Sequence, residues 1–144
     1  MATRSRIAME TEDGKVKSIY CHWDGYPSNN GRILQECYLD RAKVKDLIEL
    51  GDISSLGSEV SPTESHTFNH PQPGVTVAYH RDRGEDHTEP MIHKSVPEFV
   101  ESDVEEYGYL FTREGEWLLV NGHASSYDRE AVRVEGVLSG EIKL

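Results

Sequence analysis

The residues best suited to chemistry in this chain of 144 residues lie in one short stretch, residues 20–27, which reads Tyr-Cys-His-Trp-Asp-Gly-Tyr-Pro. Phenol, indole, imidazole and carboxylate groups follow one another within it. Gly25 and Pro27, and then Asn30 and Gly31, interrupt regular backbone structure, which predicts a strand that ends in a shaped loop. Polar aromatic residues concentrated in such a loop indicate a functional site, although they match no motif with a defined reaction.

Catalysis by this stretch is the weaker interpretation. Cys21 and His22 are adjacent, and adjacent strand residues point to opposite faces, so His22 is badly placed to activate a Cys21 nucleophile. The chain contains no Gly-x-Ser-x-Gly, Walker or dinucleotide-binding motif. An enzyme would therefore depend on acid–base chemistry by His22, Asp24 or Asp82, for example in a hydrolase of a nucleotide signal. We expect no catalytic residues and leave the hydrolase as an alternative.

The seven histidines raise the question of a metal site. His66 and His70 have the four-residue spacing that suits metal binding from a helix, but Pro71 and the polar residues around it argue against a helix there. The remaining histidines are scattered, mostly over predicted loops. We therefore expect neither a metal nor another cofactor.

Ligand binding is easier to support, because flat aromatic faces and guanidinium groups recur near the same predicted strand ends. Aromatic side chains can stack on a base, and arginines can contact phosphate or carboxylate oxygens in pairs. The combination favours a small anionic, nucleotide-like ligand, such as a cyclic nucleotide. The expected ligand-binding residues are Arg4, Arg6, Tyr20, His22, Trp23, Asp24, Tyr26, Asn30, Tyr79, Arg81 and Arg83.

A less specific interpretation accounts for the same residues. Tyr20 and Trp23 would then belong to the core, and the arginines would pair with Asp82, Glu85 and Asp86 at a solvated rim. The sequence leaves these two interpretations equally open.

The overall charge limits the class of partner. With 15 Lys and Arg against 26 Asp and Glu, the formal net charge is −11. Direct binding to nucleic acid is disfavoured, because it depends on cations that neutralise phosphates. The same charge could complement a basic groove on another protein. An acidic inhibitor that mimics nucleic acid through Glu101, Asp103, Glu105 and Glu106 is therefore the main alternative function.

The location of the protein is predicted from what the chain lacks. Cys21 and Cys37 do not form a CxxC pair and resemble the reduced cysteines of a cytosolic protein. No segment approaches the ~18 apolar residues of a membrane span, and residues 1–7 lack the apolar run of an export signal. We expect a cytoplasmic protein that does not contact a membrane.

Hydrophobic periodicity and turn residues predict the first elements. Residues 6–10 and 16–23 form a hairpin around Asp13 and Gly14, which places Tyr20 and His22 on one face. Helices follow over residues 31–39 and 40–50, the second capped by Asp40 and ended by Gly51.

The second half of the chain is less regular. Residues 52–73 are rich in Ser, Gly, Pro and Thr and predict a mobile or functional loop. A strand is predicted over residues 75–80, a short helix from Ser95, and a second hairpin over residues 107–120.

Together these elements predict a single α+β domain over residues 1–144. Its sheet would be mostly antiparallel, built from two hairpins plus a central strand, with two or three helices on one face. The tail, residues 127–144, is compatible with a helix followed by a strand and is left open. A homo-oligomer is expected, since a polar ligand is buried more readily where two subunits close over it.

Three motifs carry a resemblance to a known family. They are Thr-Arg-Ser-Arg-Ile at residues 3–7, the stretch at residues 20–27, and Gly-Val-Thr-Val-Ala-Tyr at residues 74–79, which is followed by Arg-Asp-Arg-Gly-Glu at residues 81–85. In these motifs the chain resembles a family of small tailed-bacteriophage accessory proteins. The resemblance implies a non-structural protein made in the host bacterial cytoplasm, a setting in which counter-defence proteins are common. The expected function is therefore sequestration of an immune signalling molecule. In the same setting, the acidic-inhibitor alternative would dock on a host defence protein.

Overall fold

The computed structural model describes residues 2–144 and contains one eight-stranded sheet. The strands are β1 Ser5–Glu10, β2 Val16–Cys21, β3 Ile53–Ser55, β4 Val77–Ala78, β5 Met91–His93, β6 Tyr107–Phe111, β7 Trp117–Asn121 and β8 Ala131–Arg133. The helices are α1 Arg32–Cys37, α2 Arg41–Glu49, α3 Tyr79–Arg83, α4 Val96–Glu101 and α5 Val134–Leu138, with a π-helical turn Pro27–Gly31 before α1.

The sheet has the order β4-β3-β2-β1-β6-β7-β8, and β5 also pairs with β2. The pairs β1 with β6 and β2 with β3 are parallel, whereas the other pairs are antiparallel. The predicted α+β class is confirmed, but the sheet is mixed. The parallel pairs were not predicted because they join strands that are distant in sequence. Turn residues indicate only the pairing of strands that follow one another in the chain.

Both predicted hairpins are present. β1 and β2 pair from Ser5 opposite Cys21 to Glu10 opposite Val16, and Gly14 in their turn has a φ of +84°. β6 and β7 form the second hairpin in continuous register. β2 is flanked by β1 on one side and by β3 and β5 on the other, so it lies inside the sheet.

The prediction of a central strand over residues 75–80 is wrong. The strand is limited to Val77–Ala78 at the end of the sheet, and a helical turn, α3, begins at Tyr79. The Asp82 carboxylate accepts a hydrogen bond from the backbone N–H of Ala78 at 2.7 Å. This contact stabilises the turn, and it competes with the strand preference of the β-branched residues before it.

Helices cover both faces of the sheet, which corrects the prediction that they share one face. On one face, a core cluster that includes Ile7, Ile19 and Trp117 packs with residues of α1, α2 and α5. On the other face, Phe99 of α4 packs in a smaller cluster with Ala8 and neighbouring apolar residues. With six residues, α4 is too short for a hydrophobic period to show which face it covers.

The segment at residues 52–73 is tied to this scaffold at several points. It begins with β3, a strand that the sequence analysis did not predict. Leu56 and Val60 are buried in the core, and the Tyr38 hydroxyl donates to the backbone carbonyl of Gly57 at 2.7 Å. The remainder is irregular, because glycine, proline and short polar residues favour turns.

The tail forms a strand and then a helix, the reverse of the order considered from the sequence. β8 extends the sheet beside β7, and α5 packs against the π-helical turn and α1. Among residues 2–144, the helices are all too short or too polar to cross a membrane.

Candidate ligand-binding site

The first predicted motif leaves β2 as a loop that runs along β3. The backbone N–H of His22 donates to the carbonyl of Ile53 at 3.2 Å, and that of Trp23 donates to the carbonyl of Ser54 at 2.9 Å. The parallel pairing thus continues past the end of β2 and holds the backbone of the loop against its neighbour.

Close contacts with β1 and β6 fix the next residues. Asp24 has a φ of +56°, a left-handed conformation that turns the chain sharply. Gly25 then donates to the carbonyl of Thr3 at 2.8 Å and accepts from the buried Tyr109 hydroxyl at 2.6 Å. The loop is therefore held in one conformation before any ligand binds.

Asn30, predicted to contact ligand, has a structural role instead. Its side chain is fully buried, and its amide donates to the Ser5 hydroxyl at 3.2 Å and to the Cys21 sulfur at 3.5 Å. It also accepts from the Asn29 amide at 3.0 Å. These contacts anchor the π-helical turn beneath the loop and leave Asn30 inaccessible to a ligand.

The aromatic residues of the motif form a row on the surface, which we call the aromatic row: Tyr20, His22 and Trp23. The Tyr20 hydroxyl lies 2.7 Å from Nδ1 of His22, and the His22 ring meets the Trp23 ring edge-on at 4.7 Å between centroids. Trp23 is 44% exposed and the nearby Tyr26 is 40% exposed. The placement of Trp23 in the core is therefore wrong, and both rings remain accessible to a ligand. The same interpretation is confirmed in its pairing of Arg81 with Asp82 and of Arg83 with Glu85.

An open cleft of about 350 Å³ begins where the aromatic row ends. We call it the Tyr20 cleft; its lining residues are Tyr20, Asp52, Tyr79, Arg83, Glu85, Asp86 and Thr88. Its size falls at the lower end of the range for small-molecule sites. Three predicted site residues, Tyr20, Tyr79 and Arg83, come together in it.

Arg83 is held over aromatic rings at the edge of this cleft. Its guanidinium carbon lies 4.3 Å from the Phe68 ring centre and 5.1 Å from the Tyr79 ring centre. The same guanidinium pairs with the Glu85 carboxylate. Cation–π contacts position it at modest energetic gain, and its exposure leaves it available to an anion.

Arg81, by contrast, is committed to the protein. Its guanidinium donates to the carbonyls of Val60 and Thr76, each at 2.6 Å, and to both carboxylate oxygens of Asp82. Burial favours a higher pKa for Asp82, but hydrogen bonds from Arg81, Ala78 and His66 hold that pKa below its ordinary value. Arg81 therefore fastens α3 to the preceding segment and does not belong to the Tyr20 cleft.

Arg6 is also structural. It is buried, and it donates from Nε to the Ser18 hydroxyl at 3.0 Å and from Nη2 to the Ser18 carbonyl at 3.2 Å. Nε2 of His93 lies 2.9 Å from the same hydroxyl, which resembles the pairing of a nucleophile with its base. Burial lowers the pKa of His93, and Arg6 lowers it further. Because Ser18 is fully buried, a substrate could not reach this pair.

Arg4 lies at the start of β1, near the aromatic row. Its backbone N–H donates to the Glu106 carboxylate at 2.8 Å, and its Nε lies 3.8 Å from the Glu105 carboxylate. Burial raises the pKa of the Tyr20 phenol, as does nearby Glu105, while Arg4 opposes this increase. Arg4, whose side chain is half-exposed, therefore lies within electrostatic range of Tyr20 but does not line the cleft.

The sequence analysis missed Asp52, Thr88 and Phe68 as site residues. Asp52 follows the glycine that ends α2, and its Oδ1 accepts the backbone N–H of Tyr20 at 3.0 Å. Gly51, which ends the helix, and the acidic residue Asp52 after it could be recognised in the sequence. Its position beside Tyr20 depends on the parallel pairing of β2 with β3, which had no local signal.

The Cys21 thiol should be unreactive in the folded protein. Burial raises its pKa to about 11, so at pH 8 roughly one thiol in a thousand is ionised. We expect iodoacetamide to modify Cys37, which is partly exposed, and to modify Cys21 only after denaturant is added. Mass spectrometry of the modified protein measures this difference, with a Cys37→Ser variant as control; rapid modification of that variant without denaturant would contradict the prediction.

Within residues 2–144, no group of three or more His, Cys, Asp or Glu side chains is arranged to hold a metal ion. Comparisons with protein-family models, with curated proteins and with solved structures find no match. The site is therefore defined by its geometry, as an exposed aromatic row that leads into a cleft with one stacked guanidinium.

Proposed function

We propose that this protein binds and sequesters a small anionic, nucleotide-like ligand at the Tyr20 cleft and the aromatic row beside it. The main support is the exposed position of Trp23, whose ring contacts His22 and through it Tyr20, which lines the cleft together with Tyr79 and Arg83. Large aromatic side chains kept exposed by an ordered loop are suited to stacking on a planar ring. Because that loop is already ordered, binding would require little additional loss of conformational entropy.

Two arginines near the cleft are suited to a ligand that carries phosphate, although Asp52, Glu85 and Asp86 also line it. Arg83 is half-exposed and lines the cleft, and Arg4 is half-exposed near Tyr20. A phosphate could replace the Glu85 carboxylate as the partner of Arg83, since guanidinium groups bind both anions in the same planar geometry. Binding of this kind requires no catalytic group.

The setting implied by the sequence resemblance gives this binding a role. In a phage accessory protein in the host cytoplasm, retaining an immune signal without turnover would blunt the host defence. The Tyr20 cleft is open on one side, which agrees with closure by a second subunit. Light scattering with and without ligand tests this homo-oligomer prediction.

The acidic-inhibitor alternative has less support. Of its proposed contact residues, Glu105 is only 20% exposed in its side chain and lies close to Arg4, and Glu106 accepts the Arg4 backbone N–H. Carboxylates with partners inside the protein are poor mimics of free phosphates. The hydrolase alternative would use His22 as a base; the Tyr20 hydroxyl contacts its Nδ1, which leaves Nε2 for proton transfer, so a turnover assay has to decide this alternative.

Isothermal titration of the purified chain against a panel of mononucleotides and cyclic nucleotides tests the proposal. We expect at least one member to bind, Trp23→Ala and Arg83→Ala to weaken it at least tenfold, and Tyr127→Ala to leave it unchanged. Tyr127 is the control because it is also an exposed aromatic residue but lies in another loop. Absence of heat from every nucleotide, with folded protein, would contradict the proposal, and product formation would favour the hydrolase.

A further inference from the structure

Negatively charged side chains outnumber positively charged ones in the lining of the Tyr20 cleft. Asp52, Glu85 and Asp86 line it together with a single cation, Arg83. The Arg83 guanidinium is paired with Glu85. Within residues 2–144, neither Oδ2 of Asp52 nor the Asp86 carboxylate has a hydrogen-bond or salt-bridge partner, so acceptor capacity is left over in the cleft.

Carboxylate oxygens that a bound ligand shields from water need donors from that ligand, either ammonium or hydroxyl groups. An ammonium group would need the aromatic faces of the cleft to be favourable, but the Arg83 guanidinium already lies 5.1 Å from the Tyr79 ring centre. A second cation there would meet like charge. Hydroxyl donors face no such repulsion, and they can occur in the same molecule as a phosphate and an aromatic ring.

We infer, on the basis of the proposed function, that the Tyr20 cleft selects ligands with a ribose 2′,3′-diol, which donates to Asp52. The carboxylate of an acidic residue is a well-suited acceptor for a ribose 2′-hydroxyl. Oδ1 of Asp52 is fixed by the backbone N–H of Tyr20, and that bond orients the carboxylate beside the Tyr20 ring. The diol would then lie between the aromatic row and Arg83, with the base toward Trp23 and the phosphate toward the guanidinium.

Selection for the diol should be measurable, because a hydrogen bond to a charged group contributes more than one between neutral groups. Removing the ligand hydroxyl leaves the carboxylate desolvated without a donor. We expect AMP to bind at least tenfold more tightly than 2′-deoxy-AMP. Asp52→Asn should reduce this ratio to near one, since the amide oxygen keeps the contact with the Tyr20 N–H but no longer provides a charged acceptor. Asp46→Asn, an exposed substitution on α2 outside the cleft, serves as the control and should keep both the affinity and the ratio.

Titration calorimetry of the full chain with AMP, 2′-deoxy-AMP, ADP-ribose, ribose and spermidine tests this inference. Tighter binding of the two ribonucleotides than of 2′-deoxy-AMP, lost in Asp52→Asn, supports it. Equal binding of AMP and 2′-deoxy-AMP overturns the diol inference while the proposed function stands, and so does a preference that survives in Asp52→Asn. Binding of ribose alone at comparable affinity would identify a sugar site rather than a nucleotide site. Binding of spermidine alone, or of no compound, overturns the inference, and the proposed function is overturned with it when the mononucleotide and cyclic-nucleotide panel also gives no heat.

Discussion

Replacing Arg81 by alanine should lower the free energy of unfolding by about 3 kcal/mol, because hydrogen bonds from charged donors each contribute roughly 1.5–3 kcal/mol. Arg81 donates to the carbonyls of Val60 and Thr76 and to the Asp82 carboxylate. The substitution leaves these acceptors without a donor and removes the link between α3 and the preceding segment. Urea unfolding followed by circular dichroism measures the change.

Arg83→Ala is the matched control for this substitution. It removes an arginine two positions away whose side chain is 49% exposed and whose partner, Glu85, is also exposed. Exposed ion pairs contribute roughly 0–1 kcal/mol, so stability should change little. If both substitutions destabilise the protein equally, the structural role assigned to Arg81 is wrong. Since only Arg83 lines the cleft, Arg83→Ala should instead weaken ligand binding.

Gly25→Ala should cost about 2 kcal/mol and should also disturb the loop that presents Trp23. A Cβ at this position would lie 2.8 Å from Cβ of Ser5 and 2.9 Å from the backbone carbonyl of Thr3. Neither group can move without shifting β1, so the loop must move instead. Overpacking of this kind typically costs roughly 1–3 kcal/mol. Thermal unfolding measures the loss of stability, and acrylamide quenching of tryptophan fluorescence reports the environment of Trp23.

Ser28→Ala, an exposed substitution in the π-helical turn that follows, provides the control and should change stability by less than roughly 0.5 kcal/mol. The second tryptophan, Trp117, is buried, so it contributes little to quenching in either variant. A Gly25→Ala protein with unchanged stability and quenching would show that the loop tolerates the added methyl group. The loop would then be less rigid than its contacts with Thr3 and Tyr109 indicate.

Turn and cap residues in the sequence correctly predicted the elements that are stabilised by contacts between residues close together in the chain. Gly14 marked the first turn, and Asp40 accepts the backbone N–H of Ala42 at 3.1 Å as the expected cap of α2. Ser95 likewise accepts the backbone N–H of Glu98 at the start of α4. Each of these contacts spans only a few residues, so the residue types alone were sufficient to predict it.

The remaining features depend on contacts between distant residues. β3 is a strand because Cys21 pairs with Ile53, and residues 75–80 lose their strand preference because Asp82 and Arg81 stabilise a helical turn. For the same reason, arginines that look alike in the sequence differ in role. Arg6 and Arg81 are enclosed by protein acceptors, whereas Arg83 stays at the surface. The residue types around each arginine do not distinguish these roles, because the order of the strands in the sheet decides which arginines are buried.

The parallel pairing of β1 with β6 also bears on how the chain folds during synthesis. It joins Ser5 to Tyr107 and Met9 to Phe111, and β1 lies between β2 and β6 in the finished sheet. Until the ribosome has released β6, the N-terminal hairpin keeps one open edge. Closing so long a loop slows folding, and open edges invite pairing with other chains. Chains truncated before residue 107 should therefore expose the edge of β1 that β6 covers in the complete sheet.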